Sequence, residues 1–175
     1  MSVTASHFVI YGQTNVNTFE CEMDQRYASD PIMVKSLWSK NRITFEGLKL
    51  RFPLNDFDCG VEAMSNDLKE TLKSDSYPYL YLQINYIQIK EGKQEIEKLS
   101  VVSSIDITLA GVSKKYEIKN GNVINHSESS LTLTGHENLD MTDFKIDPPV
   151  KFWGMVKVDS QLSVGFEIKM EVINL

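Results

Sequence analysis

Hydrophobic and polar residues alternate along much of this chain, the pattern that places successive side chains on opposite faces of a β-strand. The clearest case is residues 162–172, where the odd positions are mostly polar or small. The even positions of that segment are all apolar: Leu162, Val164, Phe166, Ile168, Met170 and Val172. A strand of this length spans about 36 Å, which suits a tilted strand in the wall of a barrel.

The same alternation predicts further strands over residues 79–89, 105–109, 116–118 and 131–133. In residues 43–54 the apolar positions change from odd to even at Gly47, which predicts a β-bulge there. Asn120-Gly121 is typical of a two-residue hairpin turn. The charged segment 90–98 predicts an exposed hairpin tip.

One helix is predicted, over residues 65–74. Ser65 is a suitable N-cap, and Leu68 and Leu72 form an apolar stripe with Met64 one turn earlier. Tyr77-Pro78 ends the helix, because the residue before a proline disfavours helical geometry. Residues 138–144 are a candidate for a further short helical turn.

These elements predict an all-β fold: a closed antiparallel barrel of about eight strands, with one short helix inserted around residues 65–74. The chain shows no linker, repeat or change of composition, so residues 1–175 are expected to form a single domain. A barrel of this size is either filled by its own side chains or holds one ligand. The pattern of residues leaves both open.

The formal net charge is -6, and the basic residues are scattered along the chain, which argues against a nucleic-acid partner. No apolar run approaches the roughly 18 residues of a membrane-spanning helix, so stable membrane insertion is not expected. No signal peptide is seen at the start of this chain. Self-association as a homodimer is left open.

The residues with catalytic or metal-binding chemistry do not form a recognisable motif. The three histidines, His7, His126 and His136, lie far apart in the sequence, and Cys21 and Cys59 are 38 positions apart. No glycine-rich phosphate loop or nucleophile motif is present. We therefore expect no cofactor, no metal and no enzymatic activity. The two cysteines are either separate buried thiols or one bridge.

Three segments, in order, resemble the YceI-like family of lipocalin-like barrels. Residues 57–84 resemble the family's strand, short helix, Tyr-Pro and second strand, here with Tyr77-Pro78. Residues 105–118 contain Gly111-Val112-Ser113-Lys114, similar to the family's Gly-Val-Thr-Lys turn, with Gly111 providing a permissive backbone for a tight turn. Residues 138–172 contain an aspartate-phenylalanine segment, Asp143-Phe144, before the final strand.

The resemblance implies a lipocalin-like barrel that binds or carries an isoprenoid or another long-chain lipid. The ligand's apolar tail would then contact inward-facing residues: Phe52, Leu82, Ile84, Leu109, Phe166 and Ile168. The helix would close one end of the barrel with Met64, Leu68 and Leu72. The resemblance also implies a periplasmic or secreted protein, and an oxidising compartment would favour a Cys21–Cys59 bridge.

The alternative hypothesis is a filled β-barrel that serves as a protein-interaction or structural module of the cell envelope. Its partner surface would then be formed by the aromatic residues Trp38, Tyr79, Tyr81 and Trp153. The same aromatic residues are also compatible with ordinary packing between strands.

Overall fold

The computed structural model describes residues 1–26, 31–93, 95, 97–151 and 154–173. One α-helix, α1, spans Glu62–Thr71, and short 3₁₀ turns span Leu54–Asp56 and Met141–Phe144. No helix of the described part is long and apolar enough to cross a membrane. The strands are β1 Ser2–Gln13, β2 Thr18–Arg26, β3 Ile32–Met33, β4 Lys35–Ser39, β5 Arg42–Pro53, β6 Tyr79–Ile89, β7 Lys98–Leu109, β8 Val112–Ser127, β9 Ser130–Asp140, β10 Val150–Lys151, β11 Val156–Lys157 and β12 Gln161–Glu171.

The main sheet is antiparallel, as predicted, and has ten strands in the order β2-β1-β12-β9-β8-β7-β6-β5-β4, with β3 paired to β1. The remaining two strands, β10 and β11, form a separate hairpin. The prediction was about eight strands, and eight of the ten strands of the main sheet have nine residues or more. The paired path ends at β2 on one side and β4 on the other. The prediction of a closed barrel is therefore confirmed only as a large antiparallel sheet.

Two short strands connect the two sides of this sheet. β3 pairs with the start of β1, and β4 pairs with the start of β5. Between them, the backbone N–H of Val34 donates to the carbonyl oxygen of Met1 at 2.9 Å, and the Met1 amino group donates back at 3.1 Å. Residues 32–39 therefore form one short ladder with β1 and another with β5.

The inward faces of the long strands form one continuous apolar core. On β12 the residues from Leu162 to Met170 that were predicted to share a face are all buried, at 5 % exposure or less. Phe8 of β1 contacts the core from the opposite wall, with its ring centroid 5.1 Å from that of Phe52. The period-two pattern in the sequence therefore identified the core correctly.

The bulge predicted at Gly47 is confirmed. The pairing of β5 with β6 shifts register between Thr44 and Leu48, and Gly47 has a φ of +76°. The chain also turns tightly at Ala110-Gly111, where both residues have positive φ, the geometry of a type I′ hairpin. The tight turn expected at Gly111 is therefore present.

The hairpin predicted at Asn120-Gly121 is wrong. β8 continues through both residues to Ser127, and Gly121 pairs with Val101 of β7. The register of β7 and β8 shifts just before Gly121, so this glycine lies beside a bulge within a strand. A Cβ on Gly121 would lie 3.1 Å from the Thr134 carbonyl oxygen, so close strand packing accounts for the glycine.

The predicted helix is present but begins three residues earlier, at Glu62, and Val61 is its N-cap. Ser65 is buried inside the helix instead of capping it. Its hydroxyl accepts a hydrogen bond from the backbone N–H of Cys59 at 3.0 Å, which satisfies a buried donor in the preceding loop. Lys73, with a φ of +57°, follows the last helical turn and ends the helix.

Cys21 and Cys59 form a disulfide bond, as the family resemblance implied. The bond joins β2 to the loop just before α1. Glu22 and Asp58, the neighbouring residues, exchange backbone hydrogen bonds of 2.9 and 3.0 Å. The loop that carries α1 is therefore held against β2 by a covalent bond and a short backbone ladder.

We expect replacement of both cysteines (Cys21→Ser with Cys59→Ser) to lower the free energy of unfolding by about 2–4 kcal/mol, because the bridge closes a long loop in the unfolded chain. Urea unfolding followed by circular dichroism measures the change. Reducing agent should destabilise the native protein similarly and leave the double variant unaffected. Equal urea midpoints for oxidised protein and double variant would contradict this role of the bridge.

Candidate functional site

A cavity of about 280 Å³ lies where α1 packs against the end of the main sheet, and we call it the mouth cavity. Its base consists of buried apolar side chains from four different elements: Cys21, Leu72, Met141 and Leu162. The other lining residues are Thr14, Val16, Asn17, Phe19, Met64, Asp67, Leu68, Thr71, Pro149, Lys151, Val156 and Val158. Apolar side chains thus dominate a space near the lower end of the range for small-molecule sites, about 300–1,000 Å³.

Helix α1 forms one wall of the mouth cavity through its apolar stripe. Met64, Leu68 and Leu72, which are spaced by four residues, all line the space. This spacing places them on one face of the helix, because i and i+4 side chains share a face. The three predicted residues therefore lie together on one wall of the cavity, and closure of a barrel end by them stays a prediction.

The opposite wall includes Phe19, whose position depends on a glycine. Phe19 of β2 pairs with Gly12 of β1. A Cβ built on Gly12 would lie only 1.9 Å from the Phe19 ring. The absence of a side chain at Gly12 therefore lets the ring lie flat against β1 at the edge of the cavity.

Two hairpin tips complete the rim, and Asn15 links them. The Asn15 backbone N–H donates to the Lys157 carbonyl oxygen at 3.1 Å, and its side-chain Nδ2 donates to the Met155 carbonyl oxygen at 2.9 Å. The Lys157 backbone N–H donates to Asn15 Oδ1 at 2.8 Å. The tip between β1 and β2 is therefore fixed against the β10–β11 hairpin.

An ion pair crosses the rim between α1 and the β10–β11 hairpin. Lys151 Nζ lies 2.9 Å from Asp67 Oδ1 and 3.9 Å from Glu70 Oε2. The hydrogen bond that Lys151 donates to Asp67, together with the charges of both carboxylates, raises the pKa of Lys151. Because these side chains are partly exposed, the pair positions the hairpin more than it stabilises the fold.

A hydrogen-bond network at Asp140 holds two residues of the base, Met141 and Leu162, in position. Asp140 accepts from the Thr142 backbone N–H at 2.9 Å, from the Thr142 hydroxyl at 2.7 Å and from the Gln161 amide at 2.6 Å. These donors favour the charged carboxylate and lower the pKa of Asp140. The network thereby ties the end of β9 to the start of β12, directly below the cavity.

A second concavity of about 570 Å³ lies on the other side of Phe19 and Leu162. Its lining contains the carboxylates Glu20 and Asp159 and several polar side chains, among them Gln13, Asn138 and Gln161. A lining of this kind does not suit an apolar chain, because the bound chain would remove water from the charged groups and offer them no hydrogen bonds in return. The mouth cavity is therefore the better candidate for an apolar ligand.

The six residues predicted to contact a ligand all lie in the apolar core of the sheet, and none of them lines the mouth cavity. Phe52, Leu82, Ile84 and Ile168 are fully buried, and Leu109 and Phe166 are exposed by 3 and 4 %. They pack against neighbouring core side chains: Leu82, for example, pairs with both Leu50 and Ile107. Contact between these six residues and a ligand stays a prediction.

The residues with catalytic potential are not brought together. His7 Nδ1 lies 2.8 Å from Asp24, His126 contacts Thr132 at 2.8 Å, and His136 contacts the Ser163 hydroxyl. Each of these contacts lies at a different place on the sheet. Within the described residues, no group of three or more His, Cys, Asp or Glu side chains could hold a metal ion.

Sequence reasoning missed most of the rim of the mouth cavity. Val16, Phe19, Val156 and Val158 lie in short hairpins and at strand ends, where alternation is too brief to indicate an apolar face. Gly12 opposite Phe19 is a signal that could have been found, since a glycine within a strand often marks close approach of another group. The pairing of β1 with β2 was needed to interpret it.

No family model matches the chain, and no curated protein matches it either. Solved structures do. A polyisoprenoid binding domain from Saccharophagus degradans, implicated in plant cell wall breakdown, matches with a TM-score of 0.63 at 12 % identity, covering 98 % of both chains. BcnA of Burkholderia cenocepacia matches with a TM-score of 0.64 at 12 % identity, covering 94 % of this chain and 95 % of BcnA. A variant of the YceI protein of Campylobacter jejuni matches with a TM-score of 0.55 at 14 % identity over 81 % of each chain. This chain therefore has the YceI-like fold that the resemblance of its sequence predicted.

Proposed function

We propose that this protein binds a long-chain apolar ligand, an isoprenoid or another lipid, without catalysing a reaction. The observation that carries the proposal is the mouth cavity, an apolar space of about 280 Å³ whose base is made of buried side chains. Burying an apolar chain there removes its surface from water, which contributes a favourable free energy of about 25 cal/mol per Å² of apolar surface. The size of the cavity suits a segment of a long chain.

The fold supports the same ligand class. One protein of this fold is named a polyisoprenoid binding domain, and its match covers nearly all of both chains. Identity is only 12 %, so the match establishes a shared fold and not a shared cavity lining. The proposal therefore depends on the cavity of this chain, and the comparison guides the choice of ligands to test.

The proposal includes closure of the sheet around the core. β3 pairs with β1 and β4 pairs with β5, so one segment, residues 32–39, contacts strands next to both ends of the strand path. A continuous wall of this kind would separate an apolar chain from water on all sides. The chain of the ligand would then enter at α1 and extend toward the predicted contacts at Leu82, Ile84, Leu109 and Ile168, with Phe52 and Phe166 beside them.

We also propose a periplasmic or secreted location. The Cys21–Cys59 bridge supports it, since structural disulfides persist mainly in oxidising compartments. Alkylating free thiols in freshly lysed producer cells, followed by mass measurement, tests the location. Protein recovered mainly with two alkylated thiols would contradict it.

We expect Met64→Trp to weaken the binding of a fluorescent polyene fatty acid about tenfold or more, because the indole ring takes up space inside the mouth cavity. Fluorescence titration measures the dissociation constant. The matched control is Ala63→Trp, the adjacent position on α1, which is exposed and does not line the cavity. Equal affinities of both variants and the native protein would place the ligand elsewhere.

A long-chain alcohol with a diazirine at its far end should locate the deepest point that the ligand reaches. We expect labels on residues of the cavity base, Leu72, Met141 or Leu162, and mass spectrometry of proteolytic fragments identifies them. Labels at Leu82, Ile84 or Leu109 would extend the site into the barrel core and confirm the contacts predicted from the sequence. Labels confined to the outer surface would contradict the proposal.

A second candidate function is a filled barrel that acts as an interaction module. The observation that favours it is the exposure of Leu37 and Trp38 on β4, by 62 and 59 %. The other predicted aromatic residues are less suited: Lys49 and Arg51 lie over the rings of Tyr81 and Tyr79, and Trp153 lies outside the described residues.

If β4 is an interaction surface, Leu37→Ser with Trp38→Ser should abolish a homodimer. Sedimentation velocity at micromolar protein measures the oligomeric state. We expect a dimer of the native protein and a monomer of the double variant under this second hypothesis. A native protein that is already monomeric over the whole concentration range would rule out self-association through β4.

A further inference from the structure

Three aliphatic side chains are exposed beside the opening of the mouth cavity. Val16 is 66 % exposed, Val150 57 % and Met155 65 %. Single exposed apolar residues are common on soluble proteins and need no explanation. These three lie on two hairpin tips next to an apolar cavity, which is a more specific arrangement.

Hydrogen bonds of Asn15 bring these three residues together. Asn15, the neighbour of Val16, bonds to Met155 and to Lys157, as described above. Lys157 in turn pairs with Val150 across the β10–β11 hairpin. Val16, Val150 and Met155 are therefore neighbours in space, and Lys157 lies among them.

The two faces of the β10–β11 hairpin have different roles. Lys151 and Val156 form one cross-strand pair and both line the mouth cavity. Val150 and Lys157 form the adjacent pair, are both exposed, and point away from the cavity because successive strand residues alternate. The outward face thus carries an aliphatic group and a cation side by side.

We propose that this surface, Val16, Val150, Met155 and Lys157, which we call the lip, docks on a phospholipid surface. The aliphatic side chains enter the boundary of the acyl chains while the lysine amine reaches the phosphate groups, the usual arrangement of side chains at such an interface. The inference rests on the proposed function. An apolar ligand would then pass between bilayer and cavity without crossing water.

The composition of the lip favours lipid over a protein partner. The cores of protein interfaces are enriched in aromatic residues, arginine and methionine and depleted in lysine. Of the four residues of the lip, only Met155 belongs to the enriched types, and Lys157 belongs to the depleted ones. Its cation also complements the phosphate of a lipid headgroup, although the whole protein carries a formal net charge of -6.

Cosedimentation with phosphatidylcholine vesicles tests the proposal. The native protein should bind, and Val150→Ser with Met155→Ser should lower the apparent partition coefficient about tenfold, because most of the aliphatic area of the lip is removed. Neither residue lines the mouth cavity, so binding of the polyene fatty acid in solution should stay unchanged. The matched control, Leu37→Ser with Trp38→Ser, removes exposed apolar groups at the far end of the barrel and should bind vesicles like the native protein.

Three outcomes would overturn docking through the lip. The first is that the native protein does not bind vesicles. The second is that the native protein and the lip variant bind vesicles equally, and the third is that only the control variant loses binding. A native dimer that the lip variant converts to monomer would assign the lip to a second copy of the chain instead. Failure of the fatty acid to bind the native protein would contradict the proposed function. Vesicle binding is measured without the fatty acid, so the two failures can be told apart.

Discussion

The mouth cavity depends on how the loop between β5 and β6 is held against β2. The Cys21–Cys59 bond and the two backbone hydrogen bonds between Glu22 and Asp58 join this loop to the sheet. Helix α1 begins three residues after Cys59, so its first turn is fixed by the same attachment. From there its apolar stripe faces the mouth cavity. Without the attachment, the helix would have few other contacts with β2 to keep a wall of the cavity in place.

The core of the sheet and the mouth cavity are packed differently. In the core, inward side chains of different strands meet directly, as Phe8 and Phe52 do. At the mouth, the strands have ended and the cover consists of a helix and two hairpin tips. These elements contact one another through hydrogen bonds of Asn15 and the ion pair of Lys151 and Asp67. Polar contacts around the rim leave an apolar space beneath it, which is suited to an apolar ligand.

The local signals in the sequence differed in how well they predicted structure. The phase change at Gly47 correctly indicated a bulge, because an apolar face that must stay inward fixes where the extra residue lies. Asn120-Gly121 was misleading, because the long pairing of β8 with β7 and β9 outweighs the preference of two residues for a turn. Ser65 is a good N-cap by its chemistry, yet its hydroxyl accepts from Cys59, a partner that the sequence pattern could not indicate.

The sequence by itself determined that this protein is built of antiparallel strands around one apolar core, with one helix near residues 65–74. Alternation with a period of two is a local property, and burial of one face follows from it directly. Which apolar residues line the cavity was decided by the tertiary structure. Val16, Phe19, Leu72 and Leu162 come from distant parts of the chain, and strand pairing, the disulfide and the rim contacts bring them to one place. A cavity is the space that packing leaves between such elements, so no single segment of the sequence encodes it.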